Sequence, residues 1–107
     1  MAAGYVRGIQ KNGIAACPKH FASTARSCAG WPVTRFWTSA LRELYLTGFE
    51  IVVKEAKPRT IMSSYNLING TYANENEHLL KDILRRDWGF DGAVVTDWAA
   101  PTTMLWA

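Results

Sequence analysis

The sequence has few cysteines and no long apolar run. Its 107 residues include two cysteines, Cys17 and Cys28, and neither a disulfide nor a metal site follows from this pair, so the cellular compartment stays open. No apolar run is long enough to span a membrane, and residues 1–5 lack the apolar core of a signal peptide. We therefore expect no membrane association, no metal and no other cofactor.

The sequence also lacks a stripe of basic residues interleaved with aromatic ones. Its net charge is +3, but the lysines and arginines are scattered among acidic residues such as Glu43, Glu50 and Asp82. Nucleic-acid-binding surfaces usually cluster their basic side chains on one face. The charge pattern therefore predicts no nucleic-acid partner.

Three short apolar runs have the length of buried strands. They are residues 14–17, 60–64 and 93–96. Each run ends at polar or aromatic side chains that are chemically useful. Because all three runs end in this way, we predict three strands, each followed by potential functional side chains.

Two helices are predicted between these runs. Residues 41–54 place their apolar side chains on one side of a helix with a period of 3.6 residues, and Lys57 and Pro58 then end it. The second helix is predicted to begin at a cap on Asn74, with a glutamate three residues later, and to end at Gly89 in a left-handed conformation. The order is therefore strand, helix, strand, helix, strand.

Strands separated by single helices are expected to be parallel, because the crossover returns the chain to its starting edge. The carboxyl ends of all three strands then meet at one edge, where ligands collect in folds of this type. We expect Lys19, His20, Tyr65, Asp97 and Trp98 to share that edge.

The predicted fold is α/β, with the elements of a partial TIM-type barrel. A complete eight-stranded barrel needs roughly 250 residues. The 107 residues hold about half of one, so the chain reads as a piece of a larger domain with exposed sheet edges.

Each residue at the predicted edge has a functional and a structural interpretation. Asp97 can act as a nucleophile or general base, or it can cap the following loop. Lys19 and His20 can bind a ligand or lie on the surface. Tyr65 can donate its hydroxyl or pack against the core, and Trp98 can stack on a sugar or close the end of the barrel.

Five motifs, in their order along the chain, resemble family 3 glycoside hydrolases. They are residues 8–10, 18–21, 41–46, 61–66 and 88–98. The Lys-His-Phe-Ala sequence resembles the β-glucosidase branch of the family more than the N-acetylglucosaminidase branch. The resemblance implies part of the family's N-terminal (β/α)8 barrel domain over residues 1–107, with departures at 24–40 and 99–107.

The resemblance also implies a reaction. Family members hydrolyse O-glycosyl bonds with retention, which uses two carboxyl groups about 5–5.5 Å apart. It assigns the nucleophile to Asp97, which would act on a β-linked glucoside or oligosaccharide. It assigns the sugar subsite to five residues: Lys19, His20, Met62, Tyr65 and Trp98.

The second carboxyl group comes from a following domain in the β-glucosidase branch, and earlier barrel strands supply further sugar contacts. We therefore expect the isolated chain to be inactive without the missing strands and the domain that bears the acid/base residue. The alternative is a non-catalytic sugar-binding module, or a half-barrel that buries its open edges by self-association.

Residues 24–40 contain three aromatic residues and Pro32 where the family has a polar helical stretch. One allowed set of codons for this segment, read one base earlier, encodes NSQELRRMASDSVLDER, which has the family's Asn, Gln-Glu and Arg spacing. A similar shift turns residues 99–107 into GGANNDAVG. We hypothesise frame slips here, which would place Gly30 where the family has a substrate-binding arginine. A genuine insertion loop is the alternative.

Overall fold

The computed structural model describes residues 1–22, 33–34 and 38–98. The α-helices are α1 (Ala2–Gln10), α2 (Thr38–Ala40) and α3 (Thr47–Ala56), and the π-helical segments are π1 (Leu41–Leu46) and π2 (His78–Asp87). The strands are β1 (Val33–Thr34), β2 (Thr60–Met62), β3 (Leu67–Ile68), β4 (Thr71–Tyr72) and β5 (Ala93–Val95). In this part of the chain, no helix has the length and apolar character needed to cross a membrane.

Strands β2 and β5 pair in parallel, as predicted. Thr60, Ile61 and Met62 lie opposite Ala93, Val94 and Val95. The pairing continues past β2, because the backbone N–H of Ser63 donates to the Val95 carbonyl at 2.9 Å. The carboxyl ends of both strands therefore lie at one edge.

The strand predicted at residues 14–17 is absent as a regular strand, although the chain there runs alongside β2. The Ala16 carbonyl accepts from the Thr60 N–H at 3.4 Å, and the Pro18 carbonyl accepts from the Met62 N–H at 3.0 Å. Pro18 has no N–H to donate to the ladder, so the pairing is interrupted. The prediction that Cys17 is buried was wrong, since its side chain is exposed.

The first predicted helix is confirmed, and it begins before residue 41. α2, π1 and α3 follow one another without interruption from Thr38 to Ala56. Within π1 the helix is widened, and the Thr47 hydroxyl bonds to the carbonyls of Arg42 and Glu43 at 3.0 and 2.6 Å. Lys57 then adopts a left-handed conformation (φ 46°) before Pro58, which ends the helix where the sequence predicted.

The second predicted helix is present as π2, but its predicted cap was wrong. The side chain that caps it is Asn76, whose Oδ1 accepts from the Leu79 N–H at 3.1 Å. Asn74 lies earlier, buried in the preceding turn. The predicted C-terminal signal is confirmed, because Gly89 has φ 71° and the Phe90 N–H bonds back to the Leu84 carbonyl at 3.1 Å.

Helix α1 was not predicted from the sequence. Its buried residues Ala3 and Val6 lie one turn apart and pack against Ala16, Val52 and Ala56 in a small second core. Gln10, at its end, donates to the Ala56 and Lys57 carbonyls at 3.3 and 3.2 Å and accepts from the Arg59 N–H at 2.9 Å. One amide therefore joins α1, the end of α3 and the approach to β2.

A hairpin of β3 and β4 was also missed. Its turn is Asn69-Gly70, and both residues have positive φ angles, 52° and 88°. This combination matches a two-residue type I′ turn, for which Asn-Gly between apolar residues is a strong signal. β3 also pairs in parallel with β1, so the hairpin extends a second, separate sheet.

The main core lies between the helices and one face of the β2–β5 pair. It includes the fully buried residues Phe21, Leu46, Ile61, Ile83 and Leu84. Val94 of β5 packs against the same cluster. The side chains that alternate with these along the strands lie on the opposite face.

Candidate active site

The carboxyl edge of the parallel pair brings a carboxylate and an imidazole together. Asp97 lies two residues after β5, and His20 lies on the segment that runs beside β2. Their Oδ2 and Nε2 atoms are 3.7 Å apart, and the side chains are 12% and 29% exposed, respectively. The distance is that of an ion pair when the imidazole is protonated, and it exceeds a hydrogen bond.

His20 is held in place by its neighbour Phe21. The Phe21 N–H donates to the Met62 carbonyl at 2.7 Å, and the Phe21 ring is fully buried. The ring packs edge-on against Phe49 of α3 and Trp88, with centroid distances of 5.3 and 5.8 Å. The two rings come from both helical regions, so the covering helices fix the position of the imidazole.

The position of Asp97 depends on how closely the backbone at the start of β5 approaches the chain just before β2. The Ala93 N–H donates to the Arg59 carbonyl at 3.0 Å, and a Cβ on Gly92 would overlap that carbonyl oxygen and lie 2.7 Å from Phe90 Cζ. Glycine therefore sets the register that carries Asp97 to its position. The role of Gly92 is not predictable from the sequence, because a glycine before a strand has the same pattern as an ordinary turn.

The other predicted site residues follow the ends of the same segments. Met62 ends β2 opposite Val95, and Tyr65, three residues later, is half-buried. Lys19 is exposed beside His20, and Trp98 is 84% exposed. The contact between functional groups is that of His20 with Asp97. Lys19 and Trp98 adjoin this pair along the chain, and Met62 and Tyr65 lie at and beyond the end of β2.

In the His20–Asp97 pair, the reactive group is the partly enclosed carboxylate of Asp97. Such a group can attack an electrophilic carbon or accept a proton. Asp91 precedes β5 and so lies at the opposite end of the strand from Asp97. No group of three or more metal-binding side chains occurs among the residues at 1–22 and 38–98. His78, on π2, is exposed and pairs with Asp82 at 3.2 Å.

Comparison with known proteins gives related glycosidases. The chain is 46% identical over 99 residues to β-glucosidase B of Emericella nidulans, a match that covers 92% of this chain and 12% of that protein. It is 47% identical over 100 residues to an exo-α-(1→6)-L-arabinopyranosidase of Bifidobacterium longum, covering 92% of this chain and 13% of that protein.

A solved structure has the same fold over this length. The chain superposes on β-glucosidase 3B of Thermotoga neapolitana, in complex with glucose, with a TM-score of 0.86 and 46% identity over 92% of the chain. The match covers 14% of that structure. The chain thus spans about an eighth of the length of the relatives that it matches.

The profile of the glycosyl hydrolase family 3 N terminal domain matches residues 1–104. The match includes the ends of β2 and β5 and the contact of His20 with Asp97. The chain therefore belongs to glycosyl hydrolase family 3.

Proposed function

We propose that this chain is the nucleophile-bearing part of a retaining, β-glucosidase-type glycosidase. The observation that carries the proposal is the 3.7 Å contact between Asp97 and His20 at the shared carboxyl edge. A carboxylate that is 12% exposed remains reachable by a substrate while the surrounding protein excludes much of the water. Membership of the family supports a glycosidic bond as its target.

In the proposed reaction, a carboxylate oxygen of Asp97 attacks the anomeric carbon of the sugar. The bond from that carbon to the leaving oxygen breaks, and a covalent glycosyl ester forms for water to hydrolyse. His20 and Lys19 bind sugar hydroxyls on one side of the nucleophile. Met62, Tyr65 and Trp98 line the sugar subsite, where Tyr65 donates its hydroxyl and Trp98 stacks against the apolar face of the sugar.

We propose that the described elements are part of a (β/α)8 barrel. One face of the β2–β5 pair is covered by helices, and the other carries Met62, Ala93 and Val95, which are half-buried or exposed. In a closed barrel this second face fills the interior with layers of side chains. The remaining strands and the domain that bears the acid/base residue lie outside this chain, so we expect no steady turnover from it alone, although a substrate whose leaving group needs no acid can still react once with Asp97.

The proposed substrates are β-linked glucosides. Relatives named β-glucosidases and the glucose complex of the Thermotoga neapolitana enzyme support this choice. A non-catalytic sugar-binding or self-associating module is not favoured, because these relatives are named as glycosidases. An aryl α-L-arabinopyranoside is a useful comparison substrate, given the arabinopyranosidase from Bifidobacterium longum.

The test is a single-turnover experiment with 2,4-dinitrophenyl β-glucoside. Its leaving group departs without help from an acid, so Asp97 alone can complete the first step, while the missing base slows the second. We expect a burst of about one equivalent of dinitrophenolate per folded chain. The burst should vanish in Asp97→Asn and persist in the matched control Asp91→Asn.

A burst that survives Asp97→Asn would overturn the assignment of the nucleophile. Steady turnover, lost in the same variant, would show that the chain or a second copy supplies the other carboxyl group. Circular dichroism of each variant establishes that the compared samples are folded.

We also propose that residues 24–40 and 99–107 are read out of frame. The restored string for 24–40 has the polar composition of a helix, whereas the present segment includes Trp31, Pro32, Phe36 and Trp37. Most of this segment lies outside the described residues, as does the whole of 99–107. Sequencing the coding DNA tests the proposal, and codons that cannot encode the restored string would refute it.

A further inference from the structure

Strand β2 lies between β5 and the chain segment that leads to His20, and hydroxyl side chains at both of its ends bond to these neighbours. Thr60 begins β2, and its N–H and its hydroxyl both donate to the Ala16 carbonyl, at 3.4 and 2.9 Å. Ser63 follows β2, and its N–H and its hydroxyl both donate to the Val95 carbonyl, at 2.9 and 3.4 Å. Each of these carbonyls therefore receives two hydrogen bonds from one residue.

The segment that leads to His20 pairs irregularly with β2. A parallel pair forms its hydrogen bonds at every second residue. The Ala16 and Pro18 carbonyls follow this spacing, but the next donor to β2 is the Phe21 N–H, 2.7 Å from the Met62 carbonyl. One extra residue therefore lies between Pro18 and Phe21, as in a β-bulge, and bulges redirect side chains. The position of His20 thus depends on the bonds that hold the chain before and after this bulge.

Thr60 strengthens the bonding before the bulge. In a regular parallel ladder the N–H of residue 18 would donate to the Thr60 carbonyl, but proline has no N–H. The Thr60 hydroxyl adds a bond of 2.9 Å to the Ala16 carbonyl, close to where this backbone bond is lost. The chain that leads to His20 is therefore held to β2 by a side chain as well as by the backbone.

Ser63 lies between the two chains that carry the functional pair. On one side it bonds to Val95, the last residue of β5, and Asp97 follows two residues later. On the other side it forms a parallel bridge with Phe21, the residue after His20. Ser63 is fully buried, so its hydroxyl is shielded from competing water.

We propose that Thr60 and Ser63 are positioning residues for the reaction, because their hydroxyls hold the chains of His20 and Asp97 against β2 and so set the 3.7 Å separation of the two side chains. Both act through the backbone rather than on the substrate. Loss of either bond lets the neighbouring chain shift, which displaces the nucleophile relative to the imidazole that binds the sugar. The inference rests on the proposed role of Asp97 and concerns the rate of its attack.

The experiment measures the burst of dinitrophenolate from 2,4-dinitrophenyl β-glucoside. Thr60→Val removes the hydroxyl and keeps the branched shape, whereas Thr60→Ser keeps the hydroxyl. We expect the burst rate constant at saturating substrate to fall about tenfold in Thr60→Val and to stay near the wild-type value in Thr60→Ser. The burst amplitude, which counts folded chains, should remain about one equivalent in both. A purely structural role would lower the amplitude and leave the rate constant unchanged, which would overturn the proposal.

Ser63→Ala is the second test, and Ser64→Ala is its matched control. Both serines are 0% exposed, but the Ser64 hydroxyl has no hydrogen-bond partner among the residues that the structure describes. We expect the burst rate constant to fall about threefold in Ser63→Ala, where the lost bond is longer, and to stay unchanged in Ser64→Ala. Equal rate constants for the two serine variants would refute the role of Ser63.

A readout without substrate separates this inference from the proposed function. The nitrogen chemical shifts of the His20 ring respond to the nearby Asp97 carboxylate, so Asp97→Asn should change them. At one pH, we expect a smaller change when Asp97→Asn is made in Thr60→Val, and the full change when it is made in Thr60→Ser. If the wild type gives no burst, the proposed function fails and these shifts decide alone. An equal change in all three backgrounds would then refute the positioning role of Thr60.

Discussion

The two faces of the β2–β5 pair differ in how deeply their side chains are buried. On the covered face, Ile61 is fully buried and Val94 packs into the main core. On the other face, Met62 is half-buried and Val95 is 39% exposed. The residues are apolar on both faces, so composition does not set this difference in burial.

The contrast shows which parts of the site this chain can hold by itself. Helices cover the first face and anchor Phe21, and through it His20. The second face carries the apolar side chains that would fill the interior of the proposed barrel, and Asp97 and Met62 lie at its end. The position of the site therefore comes from the covered face, while its enclosure depends on the open one.

The largest expected effect comes from removing the aromatic anchor of the covered face. Phe21→Ala leaves a cavity among Phe49, Trp88 and the helices, and we expect it to lower the free energy of unfolding by about 3–5 kcal/mol. Met62→Ala, on the open face, should cost less than about 1 kcal/mol because its side chain is only half-buried. Denaturant unfolding followed by circular dichroism measures both. Similar losses for the two variants would remove the distinction between the faces.

A smaller effect is expected where β5 approaches β2. Gly92→Ala forces a methyl group onto the Arg59 carbonyl oxygen, and we expect a loss of about 1–3 kcal/mol together with a displaced Asp97. Gly48→Ala is the control, because a Cβ there meets no atom within 4 Å and α3 should gain about 0.5–1 kcal/mol. Thermal melts of both variants test this. If the Gly92 variant were as stable as the wild type, β5 and β2 could move apart to admit the methyl group without losing stability, and the close approach would not matter.

The smallest of these effects concerns the start of a covering helix. Asn76→Ala removes the oxygen that caps π2, and we expect a loss of about 1 kcal/mol. Asn76→Asp keeps an acceptor for the Leu79 N–H and should retain most of that stability. Hydrogen exchange at the first turn of π2 reports the change locally. Equal protection in the alanine and aspartate variants would argue against the cap.

The regular elements that local chemistry controls were predictable from sequence. Apolar runs predicted β2 and β5, the first helix ended at Lys57 as predicted, and Gly89 has the predicted left-handed conformation after π2. The errors came from competing local signals. Asn74 and Asn76 both precede π2, and only the structure shows which side chain reaches a free N–H group.

Other features depend on contacts between distant parts of the chain. The side chain of Gln10 forms hydrogen bonds with Ala56, Lys57 and Arg59, which lie 46, 47 and 49 positions further along the chain. Cys17 is exposed because it alternates with Ala16, whose side chain is the one that points into the small second core, and the role of Gly92 follows from the approach of Arg59. In the site, the pairing of His20 with Asp97 agrees with the edge predicted from parallel strands. The catalytic and binding roles of the six predicted residues remain predictions.

The central claim is that Asp97 is the nucleophile. The most direct measurement is peptide mass spectrometry of the folded chain after incubation with a 2-deoxy-2-fluoro-β-glucoside bearing a dinitrophenolate leaving group, which slows hydrolysis of the covalent ester. The account predicts a fluoroglucosyl adduct on the peptide that contains Asp97, and none in Asp97→Asn. An adduct on another residue, or no adduct on a folded chain, would contradict it.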